Sequence, residues 1–194
     1  MTANHIRFEV EEDGIGVLTI DRPEKRNAMT YAMLGEFIET VEKAGADPAA
    51  RVVIVTGSGG SFCAGTDLAD LQTIPGERRG LRGEAQEKRK WWPLVACPKP
   101  VIGAIDGPAV GMGAEFTSQC DVRIASNRAR FAWNFAHRGL VPDTGAGSWL
   151  LPRLIGLRRT QGGYHSRSER RHRQHYGESV CAAAGPARHH RQRA

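Results

Sequence analysis

Ser61-Phe62-Cys63-Ala64-Gly65-Thr66-Asp67-Leu68 and Gly107-Pro108-Ala109-Val110-Gly111-Met112-Gly113-Ala114-Glu115 are two turns rich in small residues. Each follows a β-branched run that reads as a strand, Val52–Val55 and Pro100–Ile105, and each leads into a helical pattern. Small residues let a ligand approach the backbone, and a helix start leaves amide N–H groups without internal acceptors. Two such turns facing one another would make a two-donor cradle for an oxygen that becomes negative during a reaction.

Working outward, Ile6–Val10 and Gly16–Asp21 read as strands joined by the turn Glu12-Asp13-Gly14. A helix is predicted over Tyr31–Ala44, with Leu34, Phe37, Ile38 and Val41 on its apolar face at the i, i+3, i+4, i+7 spacing. Leu68–Leu71 suggests a brief helix, followed by a charged stretch over Pro75–Lys90 that becomes helical up to Val95. A helix is predicted over Gly111–Gln119, strands over Val122–Ala125 and Arg130–Trp133, and a helix over Ser148–Leu157 that Pro152 should bend or restart. Strands alternating with helices imply an α/β core.

Composition divides the chain in two. Met1 to Leu157 carry 18 Lys+Arg against 19 Asp+Glu, whereas Arg158 to Ala194 carry 9 Arg against 2 Glu, so the whole net charge of +6 comes from the tail. That tail holds five of the seven histidines and no Leu, Ile, Phe, Met, Trp or Lys, and the segment from Thr160 to Arg167 shows no helical or alternating apolar period. We therefore read residues 1–157 as the core domain and 158–194 as an Arg/His-rich tail that is disordered or out of frame. A basic arm for RNA or anionic lipid and a histidine metal site are its other readings. The break in mid-pattern at Leu157-Arg158 favours translation out of frame.

No apolar run approaches the ~20 residues of a membrane span, and no basic-then-apolar leader is visible, so a cytoplasmic protein is expected. Cys63, Cys97, Cys120 and Cys181 show no paired spacing and read as free thiols. Thr56-Gly57-Ser58-Gly59-Gly60-Ser61 lacks the Gly-Lys-Ser/Thr of a phosphate loop, no Gly-x-Ser-x-Gly elbow occurs, and possible metal ligands cluster only in the tail. No metal is expected.

The two turns, taken with Arg22-Pro23-Glu24-Lys25-Arg26-Asn27-Ala28-Met29, resemble the enoyl-CoA hydratase/isomerase (crotonase) superfamily in motif order and spacing from about Phe8 to about Leu157. The resemblance implies an α/β spiral of ββα units, here without the usual C-terminal helical region, and an acyl-CoA thioester as substrate. Coenzyme A is then part of the substrate, with no separate cofactor, and a homotrimer or hexamer is the family's assembly. It also implies that the backbone N–H groups of Thr66 and Met112 hold the thioester oxygen. Lys25, Arg26 and Ala28, with Ala64, Gly65, Asp67, Leu68 and Gly111, would contact coenzyme A or the acyl chain.

Glu115 matches the first catalytic glutamate of the family's hydratases, three residues beyond Met112. Near an apolar acyl pocket such a carboxylate should titrate high, which suits proton transfer; its other reading is a carboxylate favouring the helix dipole. The second hydratase glutamate falls at Phe135, four residues before Gly139. Asp143 resembles the position where several family isomerases carry their acid or base, and equally suits a helix N-cap. The residues thus fit double-bond isomerisation at least as well as hydration. A non-catalytic acyl-CoA-binding protein is the alternative, and a nucleic-acid-binding protein acting through the tail is a weaker one.

Overall fold

The computed structural model describes residues 5–72, 92–136, 139–140 and 146–165. Strands β1 (Ile6–Val10) and β2 (Ile15–Ile20) form an antiparallel hairpin. Its turn closes through Gly14 N–H to Glu11 O at 2.9 Å, with Gly14 at φ +80°. Helix α1 follows over Tyr31–Ala46, and the Thr30 hydroxyl caps it by accepting from Met33 N–H at 3.2 Å. It buries Met33, Leu34, Phe37, Val41 and Ala44, leaving Ile38 only half-buried at the margin of the predicted face.

After α1, the chain repeats one pattern: a strand in a large sheet, a strand in a small sheet, then a helix. Strand β3 (Val52–Gly57) is followed by the single bridging residue Cys63 and helix α2 (Leu68–Gln72). Strands β4 (Val101–Ile105) and β5 (Pro108–Val110) lead into α3 (Met112–Gln119). Strands β6 (Val122–Ala125) and β7 (Arg130–Ala132) precede α4 (Ala146–Ile155). The large sheet has the order β1-β2-β3-β4-β6 and is parallel from β2 onward; the small one pairs β5 with β7 in parallel and is extended by Cys63 against Ala109. Stacked ββα turns are the architecture the resemblance implied.

Hydrophobic burial holds these turns together. Leu18, Ile20, Val53, Val55, Val101 and Ile105 point to one face of the large sheet and meet Leu34, Phe37 and Val41 of α1 and Phe116 of α3. Phe37 and Phe116 stack with centroids 4.7 Å apart, joining the two helices that cover the sheet.

Three elements differ from expectation. β5 replaces the turn expected there: three residues led by a proline show no strand period, and pairing with β7 makes them a strand. α4 runs through Pro152, and the break falls instead at Gly156, φ +86°. The chain then continues as α5 (Leu157–His165), although no helical period was found over 160–167. Helix hydrogen bonds are local and need no apolar stripe of their own. Thr160, buried and donating its hydroxyl to Gly156 O at 3.0 Å, anchors the first turn. Of the stretch expected to turn helical before Val95, one turn is described, closed by Ala96 N–H to Trp92 O at 3.0 Å. The remainder of that stretch, Asp143 and most of the tail lie outside the described residues.

Candidate functional site

The loops after β2, β3 and β4 meet at the carboxyl end of the parallel strands, where open α/β sheets generally place ligands. The first begins with a short helical turn, Pro23–Lys25, and continues through Arg26 and Asn27, both left-handed at φ 51° and 58°. Asparagine tolerates that conformation better than most residues. Asn27 is also fully buried and spends its amide on four backbone groups: its Oδ1 accepts from Arg22 N–H at 2.8 Å, and its Nδ2 donates to Ser58 O at 2.9 Å, Ser61 O at 2.7 Å and Phe62 O at 3.4 Å. Lys25 and Arg26 are left exposed on the rim.

Arg22 clips this loop to the second one. Its Nη1 donates to Ala28 O at 3.0 Å and to the Asp67 carboxylate at 2.7 Å. That guanidinium holds the Asp67 carboxyl below the usual carboxylate range, and the other Asp67 oxygen accepts from Ala69 N–H at the start of α2 at 2.9 Å. Both Asp67 oxygens thus have partners within the protein, and its backbone carbonyl accepts from Leu71 N–H at 2.9 Å.

The cradle forms where the second and third loops touch. Met29 bridges Thr66 in parallel, using Gly65 O (2.8 Å) and Asp67 N–H (2.8 Å), so the amide of Thr66 itself faces the other way. On that side lies the third loop. A Cβ on Gly65 would stand 2.8 Å from Val110 O and 3.6 Å from Met112 N, which places the two turns in direct contact. Met112 opens α3, and among the described residues neither the Thr66 nor the Met112 N–H makes a hydrogen bond. Gly111 precedes it at φ +53°, with its N–H held by Ala132 O at 2.7 Å.

Two residues adjoin Gly111. Glu115 lies in the first turn of α3 with 0 % exposure, its own N–H donating to Gly111 O at 3.0 Å. Phe131, Trp133 and Phe135 alternate inward along β7 and beyond, and the Phe135 ring ends 3.9–4.0 Å from where a Gly111 Cβ would be. An apolar ring therefore lies beside the turn at Gly111.

The structure brings together Ala28, Ala64, Gly65, Thr66, Asp67, Gly111, Met112 and Glu115, with Lys25 and Arg26 on the rim and Leu68 half-exposed at the start of α2. Asp143 is outside the described residues. Sequence reasoning missed Arg22 and Asn27, whose roles are hydrogen bonds to loops 31 to 45 residues away. The available signal was weak: an asparagine after two charged residues in a tight turn. Among the described residues no group of three or more His, Cys, Asp or Glu could hold a metal ion, and no helix is long and apolar enough to cross a membrane.

Residues 10–164 match the family described as enoyl-CoA hydratase/isomerase. A Rhodobacter capsulatus protein named "Probable enoyl-CoA hydratase" is 40% identical over 166 residues, 84% of this chain and 61% of the relative. The 1,2-epoxyphenylacetyl-CoA isomerase of Escherichia coli K12 is 39% identical over 155 residues, 78% of this chain and 58% of the relative. The crystal structure of enoyl-CoA hydratase from Mycobacterium tuberculosis H37Rv superposes with a TM-score of 0.68 at 34% identity, covering 85% of this chain and 67% of that one. The chain thus spans 58–61% of the length of these two curated relatives.

Proposed function

The chain belongs to the enoyl-CoA hydratase/isomerase family, and on that footing we propose that it moves a double bond of an enoyl-CoA from the 3- to the 2-position through a thioester enolate. The observation that carries this reading is the Phe135 ring against Gly111. Two-glutamate hydration pairs a carboxylate that activates water with one that moves a proton; Phe135 supplies no carboxylate at the second position, whereas isomerisation needs only a proton carried from C2 to C4.

In this reading the thioester oxygen accepts from the Thr66 and Met112 N–H groups. The Glu115 carboxylate takes a proton from C2, and the electron pair of that C–H bond enters the C1–C2 bond as the carbonyl becomes an oxyanion. Two fixed amide donors stabilise that charge without reorganising, and each is worth roughly 3–4 kcal/mol of barrier. When the carbonyl re-forms, the electron pairs move outward, the new double bond lies between C2 and C3, and C4 receives a proton from Glu115 or Asp143. Lys25 and Arg26 meet the nucleotide phosphates, the Ala28 backbone lines the pantetheine path, and Ala64, Asp67 and Leu68 lie on the adenine and pantetheine side, with Gly65 and Gly111 beside the two donor amides.

Incubation with a 3-enoyl-CoA is expected to yield the conjugated 2-enoyl-CoA, seen by ultraviolet absorbance and mass. Asp143→Asn distinguishes the two proton donors. If Asp143 supplies C4, the variant still exchanges the C2 proton with D2O but no longer isomerises. A 3-hydroxyacyl-CoA as the main product would overturn isomerisation in favour of hydration. Tight thioester binding with no exchange and no turnover would select the non-catalytic binding protein.

A further inference from the structure

Cys63 joins the two turns of the cradle through both its backbone and its side chain, and the proposed mechanism gives it no role. It forms the outermost position of the small sheet, in one row with Ala109 and Phe131. Its N–H donates to Pro108 O at 3.1 Å and its carbonyl accepts from Val110 N–H at 2.9 Å, which ties the second loop to the strand leading into Gly111. Its Sγ accepts from Gly65 N–H at 3.4 Å, which turns the chain just before Thr66. On the other side it meets the first turn of α3, where a Cβ on Gly113 would fall 2.2 Å from Cys63 O and 2.8 Å from Cys63 Cβ.

Those contacts have one geometrical consequence. Thr66 is three residues after Cys63 and Met112 stands beside Gly113, so Cys63 lies between the segments that carry the two amides. The sulfur also absorbs the Gly65 N–H, leaving the next amide along, that of Thr66, as the one presented to a ligand. The side chain is 0 % exposed, and burial pushes its thiol up to about 12, so it remains a neutral acceptor and not a nucleophile.

We infer that Cys63 is a positioning residue for the proposed oxyanion cradle: its backbone sets the spacing of the Thr66 and Met112 amides, and its sulfur sets the orientation of the first. This rests on the cradle reading above, and the test separates the two. The isotope-labelled full chain would be titrated with butanoyl-CoA, a saturated thioester, while the backbone amide resonances are followed by NMR.

In the unsubstituted chain the Thr66 and Met112 amide protons are expected to move downfield on binding, and the Gly65 amide to be protected from exchange. Cys63→Ala should diminish the Thr66 shift and speed Gly65 exchange about tenfold, the loss of one hydrogen bond. Cys63→Ser, which keeps an acceptor at the same place, should restore both. If Cys63→Ala shifts as far as the unsubstituted chain, the orienting role of the sulfur is overturned while the cradle stands. If neither amide responds in the unsubstituted chain, the cradle itself fails, and the inference with it. A Gly65 amide that exchanges like an exposed one in the unsubstituted chain overturns the role without any variant.

Discussion

Glu115→Gln is expected to lower the rate of C2-proton exchange and of double-bond movement by about 100- to 10,000-fold, the range for removing a positioned general base. The amide is nearly the same size as the carboxylate, and the residue lies at 0 % exposure within a helix whose eight residues are all buried. Packing should therefore survive and the substrate should still bind, so kcat falls while KM changes little. That split distinguishes lost chemistry from lost structure. A variant retaining exchange within a few-fold of the parent would remove Glu115 from the proton path and leave the burial of its carboxylate to be explained by the helix N-terminus alone.

Gly113→Ala should produce the largest combined loss. The added carbon would stand 2.2 Å from Cys63 O and 2.9 Å from Cys63 C, and both are backbone atoms of the strut between the two turns. They cannot rotate aside as a flexible side chain would, so α3 must shift away from the 61–67 loop. Overpacking of this kind costs about 3 kcal/mol or somewhat more. A displacement of about 1 Å at the donors alone is enough for a hundredfold loss in rate.

Gly35 supplies the control. It lies within α1, and among the described residues no atom beyond its own helical turn comes within 4 Å of a Cβ placed there. Gly35→Ala should leave activity intact and raise stability by about 0.5–1 kcal/mol in urea unfolding. Equal behaviour of the two variants would contradict the claim that Gly113 marks a contact between turns.

Much of this was legible in the sequence because it depends on local signals. The apolar spacing at 34, 37 and 41 fixes α1 without reference to the rest of the chain. The β-branched runs of β3 and β4 end in small residues, which is enough to place two strand-to-helix turns, and motif order then brings them to one site. The parts that escaped depend on partners distant in sequence. β5 exists as a strand because Ala109 sits between Cys63 and Phe131, and three residues headed by Pro108 carry no period from which to read it.

Arg22 and Asn27 escaped for the same reason. A charged residue and an amide in a polar turn look solvated until Asp67, Ser58 and Ser61 are brought to them by the stacking of the ββα turns. α5 escaped because a helix can form on local hydrogen bonds over a stretch with almost no apolar content. Phe135 was visible as a departure from the hydratase pattern, but only the structure shows its ring against Gly111.

The central claim is that two backbone amides, those of Thr66 and Met112, polarise a thioester carbonyl. The measurement that addresses it most directly is the vibrational difference spectrum of the bound acyl-CoA, with the thioester carbonyl labelled with carbon-13 so that its stretch stands apart from the protein's amide bands. Two fixed donors should lower that stretching frequency well below its value for the same thioester in water, and Gly113→Ala should return it toward the solution value. A bound carbonyl that vibrates as it does in water would contradict the account.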